Sequence, residues 1–517
     1  PTPLAEREDD EWEPPPLEDP GGRPRAEPDG DQSDDQTALA TLTAPVQALA
    51  QGTEPSGIDW TRAAEDVRAL RGGIATLQVD GQQREEAEGW LTLASVRVAA
   101  RSPLPADDAT ALAAELLLAA ATDPRPDGED DLASFDQFPS WGFPAGRGDA
   151  ARGLIALARE PSRLPDGALH ALQTLAGDPA AAVRLRVAEH LGVLASTQAD
   201  LAWQFADQLA GDPSAAVRQA LLGSFAGLAA DDRDRALELV VRLSREESTR
   251  AAPQEGLLTA AACLLIECWV WQGAPQGRTL LEEIVGNLGA YAEIAPRLTF
   301  ALRNPTTYGE VGAADPNADA VRARAIGAFT TLARAGLAAF QAELDAYQAT
   351  AAAGGPVDET PLKAAGNLVD HACTELYFAS GAYHSSGNEQ QPRVSEGQRE
   401  RFYNEASELI DTLCDAPLPR AAHHVMQTLE RSIELDPRGV LLRTGRVLQA
   451  AHIWHYAHDQ IALALFIKIT QRYLAQHREL LADTECRTSL LQSLEFFVAA
   501  GWPAARRLVY RLDEAFR

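Results

Sequence analysis

The sequence predicts an all-α chain, an α-α superhelix of stacked helical hairpins, and three observations carry that prediction. The string GDPAAAVRLRVAEHLGVLA, Gly177–Ala195, returns 34 residues later as GDPSAAVRQALLGSFAGLA, Gly211–Ala229. Ala-rich helical stretches dominate, aromatics make up only 6% of the chain, and the extended runs of Val, Ile and Thr that a large sheet needs are missing. At 517 residues the chain is too long for one compact core and suits several domains or one elongated array.

Residues 1–36 form the first segment. Its first 35 residues hold eight prolines and thirteen acidic residues against three arginines. So little apolar surface cannot offset chain entropy, and the segment is expected to be disordered, a solvated linker or else an acidic docking tail. The second segment, 37–148, reads as four helices separated by GTEPSG, VDGQQ and RSPLPADD, where Gly, Pro and Asp supply turns and caps. They should pair as two hairpins. A loop follows, DPRPDGEDDLASFDQFPSWGFPAGRGD, carrying Phe135, Phe138, Trp141 and Phe143. Its aromatics are expected to pin the loop onto the helices beneath it, with a partner surface at Trp141 as the alternative.

Segment 149–350 holds the repeats. Asp178 and Asp212 stand where an N-cap accepts bonds from free helix amides, and Pro179 and Pro213 follow where a missing N–H costs nothing, so helices are expected to start there. Counting from Val183 and Val217, apolar residues fall at offsets 0, 4, 8 and 11, one face of a helix: Val183, Val187, Leu191, Leu194, then Val217, Leu221, Phe225, Leu228. A third copy, DPNADAVRARAIGAFTTLA from Asp315, repeats the offsets with Val321, Ala325, Phe329 and Leu332 after one inserted residue. Shorter apolar helices, DGALHALQTLAG and QADLAWQFADQLAG, precede the first two copies, so the unit is helix, turn, helix. One such hairpin cannot enclose its own apolar stripe, and stacked neighbours can. The last segment, 351–517, reads as further, degenerate hairpins.

The pattern resembles a HEAT repeat, whose signature sets Asp in the turn and a Val-Arg pair early in the second helix. Asp178 with Val183–Arg184 and Asp212 with Val217–Arg218 match it. The resemblance implies a HEAT-like α-solenoid in which Asp178, Arg184, Asp212 and Arg218 form a hydrogen-bonded ladder between units. Asp315 and Arg322 match less closely because of the inserted residue, and the ladder is expected to break there. It also implies that second helices line a concave side, where Leu185, Glu189, Gln219, Gly223, Ala323 and Gly327 fall two and six positions beyond each valine. Such short or uncharged side chains would admit a partner close to the backbone, or would simply let neighbouring repeats stack tightly.

Composition narrows the function classes. A net charge of −30 argues against nucleic acid and anionic lipid as partners. Five scattered cysteines without a CxxC pair suit reduced thiols and hence the cytoplasm; no unbroken apolar run of membrane-spanning length occurs, and no membrane entry is expected. Lys363 and Lys468 are the only lysines among 45 basic residues, the Arg bias of a GC-rich, bacterial genome. No P-loop or GxGxxG occurs, and no cofactor is expected. FDQFPSWGFPAGRGDAARGLIALA and FVAAGWPAARRLVYRLDEAFR resemble tails of large bacterial ATPase-type proteins, so any catalytic module is expected upstream of Pro1. His452, His455 and His458 in HIWHYAHD cannot converge on a metal from one straight helix, and are expected in a partly buried aromatic stripe beside Trp454 and Tyr456. His371 and Cys373 diverge on a helix, and Ser385 and Ser386 lack the frame of a nucleophile elbow. The sequence therefore predicts a non-catalytic scaffold, sensor or regulatory region of a larger bacterial protein that binds protein partners. The alternative is a HEAT-like enzyme resembling bilin lyases or alkylpurine DNA glycosylases, although the latter calls for a basic groove.

Overall fold

The computed structural model describes residues 30–52, 57–105, 107–126, 132–139, 145–250, 252–307, 316–382 and 395–516, and among them there is no strand. The chain divides into two units, Pro1–Pro126 with Trp141–Leu172, and Asp127–Ser140 with Gln173–Arg517. No helix of the described residues is long and apolar enough to cross a membrane.

The first unit contains α1 (Gly30–Gln51), α2 (Trp60–Thr76), α3 (Gly81–Ala99) and α4 (Asp107–Ala120). Asp59 and Asp80 cap α2 and α3 by accepting bonds from free amides of the first turn. Leu39, Val46, Leu49, Val67, Leu70, Ile74 and Leu91 close the core between these helices. Helix α1 opens at Gly30, inside the stretch expected to lack structure. One tie that holds it is the Asp35 carboxylate, which accepts a bond from the Gln78 amide at 2.7 Å and so fastens the helix to the link between α2 and α3. The short α5 (Leu132–Gln137) belongs to the second unit, and α6 (Gly146–Leu157) packs against α3 and α4 in the first.

Helix α7 (Ala168–Ala176) leads into the repeats, whose helices are α8 (Ala181–Ala195), α9 (Ala199–Ala210), α10 (Ala215–Gly223), α11 (Phe225–Asp231), α12 (Arg233–Ser248) and α13 (Glu255–Gln272). Then come α14 (Pro275–Gly286), α15 (Ile294–Thr306), α16 (Ala318–Ala352), α17 (Thr360–Ala379), α18 (Glu396–Glu405) and α19 (Ser407–Leu413). The series ends with α20 (Pro419–Ser432), α21 (Pro437–Ala451), α22 (Gln460–Gln476), α23 (Thr484–Ala499) and α24 (Pro503–Phe516). Each helix of the repeats packs on the next and on the corresponding helix one hairpin away, as α8 does on α9 and α10. A continuous core running from Ala262 to Leu508 follows. Of the twelve positions at offsets 0, 4, 8 and 11, eleven are buried and only Phe225 is half-buried. Each fully buried Leu or Phe contributes roughly 1.5–3 kcal/mol, so this stripe is the main cohesive element of the stack.

Three local features differ from the sequence reading. Helices α8 and α10 begin three residues after Asp178 and Asp212, because each Asp carboxylate accepts a bond from the amide two residues on, Ala180 and Ser214 at 2.9 Å, and turns the chain before the helix starts. The second helix of the second copy is broken at Ser224, whose hydroxyl donates to the Ala188 carbonyl of α8 at 2.6 Å. The second helix of the third copy runs on through 35 Ala-rich residues to Ala352, and Gly354, with φ of +70°, ends it.

Glycines at 192 and 227 set a close approach between α8 and α11. A Cβ added to Gly227 would stand 2.3 Å from the Gly192 Cα, so α8 and α11 meet backbone to backbone. Gly227→Ala is expected to push these helices apart and to lower stability by about 1–3 kcal/mol, read as a lower urea midpoint with an unchanged slope.

Candidate partner-binding surface and its supporting ladder

The arginine after each valine joins its own turn to the next hairpin. Arg184 donates from Nη1 to the carbonyls of Asp178 (2.7 Å) and Pro179 (2.9 Å), and from Nε and Nη2 to the Asp212 carboxylate at 2.6 and 3.0 Å. Arg218 repeats this one hairpin on: Nη1 donates to the carbonyls of Asp212 and Pro213, and Nη2 reaches Glu247 Oε2 at 2.6 Å. Glu247, at the end of α12, also accepts from the Gln254 amide at 2.9 Å and pairs with Arg250 at 3.1 Å. These rungs are shielded, with side-chain exposures of 4% for Arg218 and 1% for Glu247. The second unit is a HEAT-like stack of helical hairpins.

No family model and no curated protein matches this sequence. Among solved structures it is similar to Kap121p, at 13% identity over 94% of this chain and 52% of that one, with a TM-score of 0.33. It is similar also to importin beta, at 12% identity over 90% and 59% with a TM-score of 0.28, and to Kap121p bound to Ste12p, at 11% over 90% and 66% with 0.31. The chain spans between about half and two thirds of the length of those structures.

Beyond Glu247 the ladder changes partners. Asp315 lies outside the described residues, while Arg322, almost fully buried, donates to Glu405 at 2.8 Å and pairs with Asp319. Sequence reasoning missed Glu247, because the turn it serves has no Asp-Pro and the longer side chain reaches back from the helix end. It also missed Asp436 and Arg443, where a signal was present: Asp436-Pro437 precedes Arg443 by seven residues, the spacing of Asp315 and Arg322. Asp436 caps α21 through the Gly439 amide, and Arg443 grips Asp411 with two bonds of 2.8 and 3.0 Å. In the first unit Asp123-Pro124 opens the same kind of turn, with Arg147 donating to the Asp123 carbonyl at 2.6 Å.

A second contribution missing from the sequence reading comes from the loop before α6. Phe135 is buried, and on the same short helix α5 Asp136 accepts from the Ser214 hydroxyl at 2.5 Å and from the amides of Ala215 and Ala216 at 2.9 and 3.0 Å. This carboxylate caps α10 from 78 residues away. Phe138 is 70% exposed, and Trp141 and Phe143 lie outside the described residues.

The expected partner strip is open at five of its six positions. Glu189, Gln219, Gly223, Ala323 and Gly327 are exposed, and a Cβ added to Gly223 or Gly327 would meet nothing within 4 Å. Leu185 is a correction, because at 5% exposure it is packed into the stack and offers no surface. Tight stacking is the work of Gly192 and Gly227, not of Gly223.

The other candidate residues are separated from chemistry by their surroundings. Helix α21 stops at Ala451, and HIWHYAHD forms two 3₁₀ turns about His455, whose φ is +61°. Trp454 and Tyr456 take the half-buried and buried positions, and the three imidazoles are exposed, which corrects the expected stripe. His452 stacks on Phe496 at 4.5 Å, and His455 meets His458 edge-on at 5.3 Å. Among the described residues no group of three or more His, Cys, Asp or Glu is placed to hold a metal ion. All five cysteines are free, four of them buried. Burial pushes the Cys263 thiol up to about 11 and Cys414 up to about 12, and raises Cys373 well above its ordinary value. Such thiols stay protonated and are poor nucleophiles. Ser385 and Ser386 lie outside the described residues.

Arg218→Ala leaves the buried Glu247 with the Gln254 amide and the exposed Arg250 alone, and is expected to cost about 2–4 kcal/mol, against about 1–3 kcal/mol for Arg184→Ala, whose pair is less enclosed; chemical denaturation gives both values. Asp136→Ala is expected to cost about 1–2 kcal/mol. It should also speed hydrogen exchange at the Ala215 and Ala216 amides while leaving those of α8 unchanged.

Proposed function

We propose that this chain is a non-catalytic protein-interaction scaffold or sensor, a regulatory module of the bacterial cytoplasm that receives a protein partner along the exposed strip of its second helices. The observation that carries this reading is the openness of Gly223 and Gly327. In a stack where close approach is provided elsewhere, glycines that touch nothing leave backbone accessible to a partner. The buried, protonated thiols favour a binding role over thiolate catalysis. The net charge of −30 disfavours nucleic acid, the free cysteines suit a reducing compartment, and the near absence of lysine supports a bacterial source.

Gly223→Arg tests the reading. Affinity purification from the native host should recover a defined protein with the unmodified chain and lose it with the variant, while the melting temperature stays within about 2 °C, as for a surface substitution. Recovery of the same protein with both chains would remove the strip from the partner surface.

A further inference from the structure

Within the second unit, α12, α13 and α14 together with the 3₁₀ turn Leu288–Tyr291 enclose a cleft of about 540 Å³. Gly289, Ala290 and Ala292 line one wall with little side-chain volume, beside Tyr291. Its floor is apolar, made by Leu258, Leu265, Leu280 and Ile294. Its polar lining is unbalanced, with Glu255, Glu283 and Glu293 against a single cation among the lining residues, the exposed Arg245. Glu283 accepts a 2.5 Å bond from the Tyr291 hydroxyl through one oxygen, while Arg245 extends from an exposed position on α12. Gln276 also lines the cleft, and its Oε1 is sealed from solvent without a hydrogen-bond donor.

The cleft adjoins the open strip. A Cβ added to Gly256 would lie 3.5 Å from Gln219 Oε1, and Gly256 is the neighbour in sequence of Glu255 on the cleft's rim. A chain lying along α10 past Gln219 thus arrives at the cleft.

We propose that this cleft is the anchoring site for a basic, apolar segment of the protein partner, with an arginine or lysine whose alkyl stem lies on the leucine floor and whose charge meets Glu255, Glu283 and Glu293. A long basic side chain suits such a site because its methylenes bury while its head stays among carboxylates. An acidic segment would meet three like charges, carried on exposed side chains around the apolar floor. The proposal rests on the scaffold reading for its partner, while the cleft's own chemistry can be measured without one.

The test is isothermal titration of the full chain with acetyl-Leu-Arg-Leu-Arg-amide. Saturable binding at one site is expected, weakened at least tenfold by the double variant Glu283→Gln/Glu293→Gln and by 0.5 M NaCl. The counterpart acetyl-Leu-Glu-Leu-Glu-amide should not bind. Thr279→Trp, which places an indole over the cleft from an exposed position, should also abolish binding, and it replaces the double variant if that chain fails to fold. Absence of saturation, equal affinity for the acidic peptide, unchanged affinity in the variants, or displacement by spermidine at the same concentration as the peptide would each overturn the assignment. The two readings fail separately. Peptide binding without recovery of a host protein sinks the scaffold and keeps the cleft, whereas recovery of a host protein by the Thr279→Trp chain sinks the cleft and keeps the scaffold.

Discussion

The guanidinium at the start of α8, and again of α10, is the interaction on which this part of the stack depends. Arg184 satisfies two carbonyls of its own turn and both oxygens of the next unit's carboxylate. A planar fork with several donors suits this arrangement, whereas a lysine would bring three donors at one point and could not match both carboxylate oxygens while reaching the two carbonyls. Hydrophobic burial brings hairpins together but is indifferent to their rotation about the stacking direction. The arginine ties one turn to the next and so holds that rotation, while the buried apolar stripe decides which residues of the second helix are left facing out.

Two classes of glycine follow from that fixed rotation. Gly192 and Gly227 are needed because the backbones of α8 and α11 touch, and the break at Ser224, with its bond to Ala188, is the local adjustment that permits the contact. Gly223, only four residues before Gly227, faces open space. A composition rich in small residues therefore mixes packing and surface, and the two are told apart only by what a methyl group would meet.

The hairpin order and the buried stripe were legible because both are periodic: the 34-residue return placed Val183 and Val217, and the offsets placed the core. The ladder from Asp178 to Arg218 was legible only through the resemblance to a HEAT repeat, which implied the pairing that the bonds of Arg184 and Arg218 display. Glu247 was not, since a glutamate reaching back from a helix end does in space what an aspartate in a turn does in sequence. Leu185 was misplaced because positions two beyond the valine face outward only where no neighbour covers them, and one period cannot reveal a neighbour. Asp136 left no periodic trace either, because its partner amides lie 79 and 80 residues further along. The cleft beside α13 depends on three helices and one turn, and no single segment announces it.

Arrays of stacked repeats owe their behaviour to contacts between nearest neighbours, which lets them nucleate anywhere and fray from the ends. The carboxylate of α5 on the first turn of α10 breaks that rule, since it joins positions far apart in the chain. Closing so long a loop adds only about 0.6 kcal/mol per doubling of its length, so the fastening is thermodynamically accessible once both ends are folded. It is also a contact that the nearest-neighbour description does not contain. Melting of α10 therefore costs the docking of α5, and loss of α5 exposes the amides of α10. Helices α5 and α10 should open together as one cooperative block, where an unlatched α10 would answer only to its neighbours in the stack.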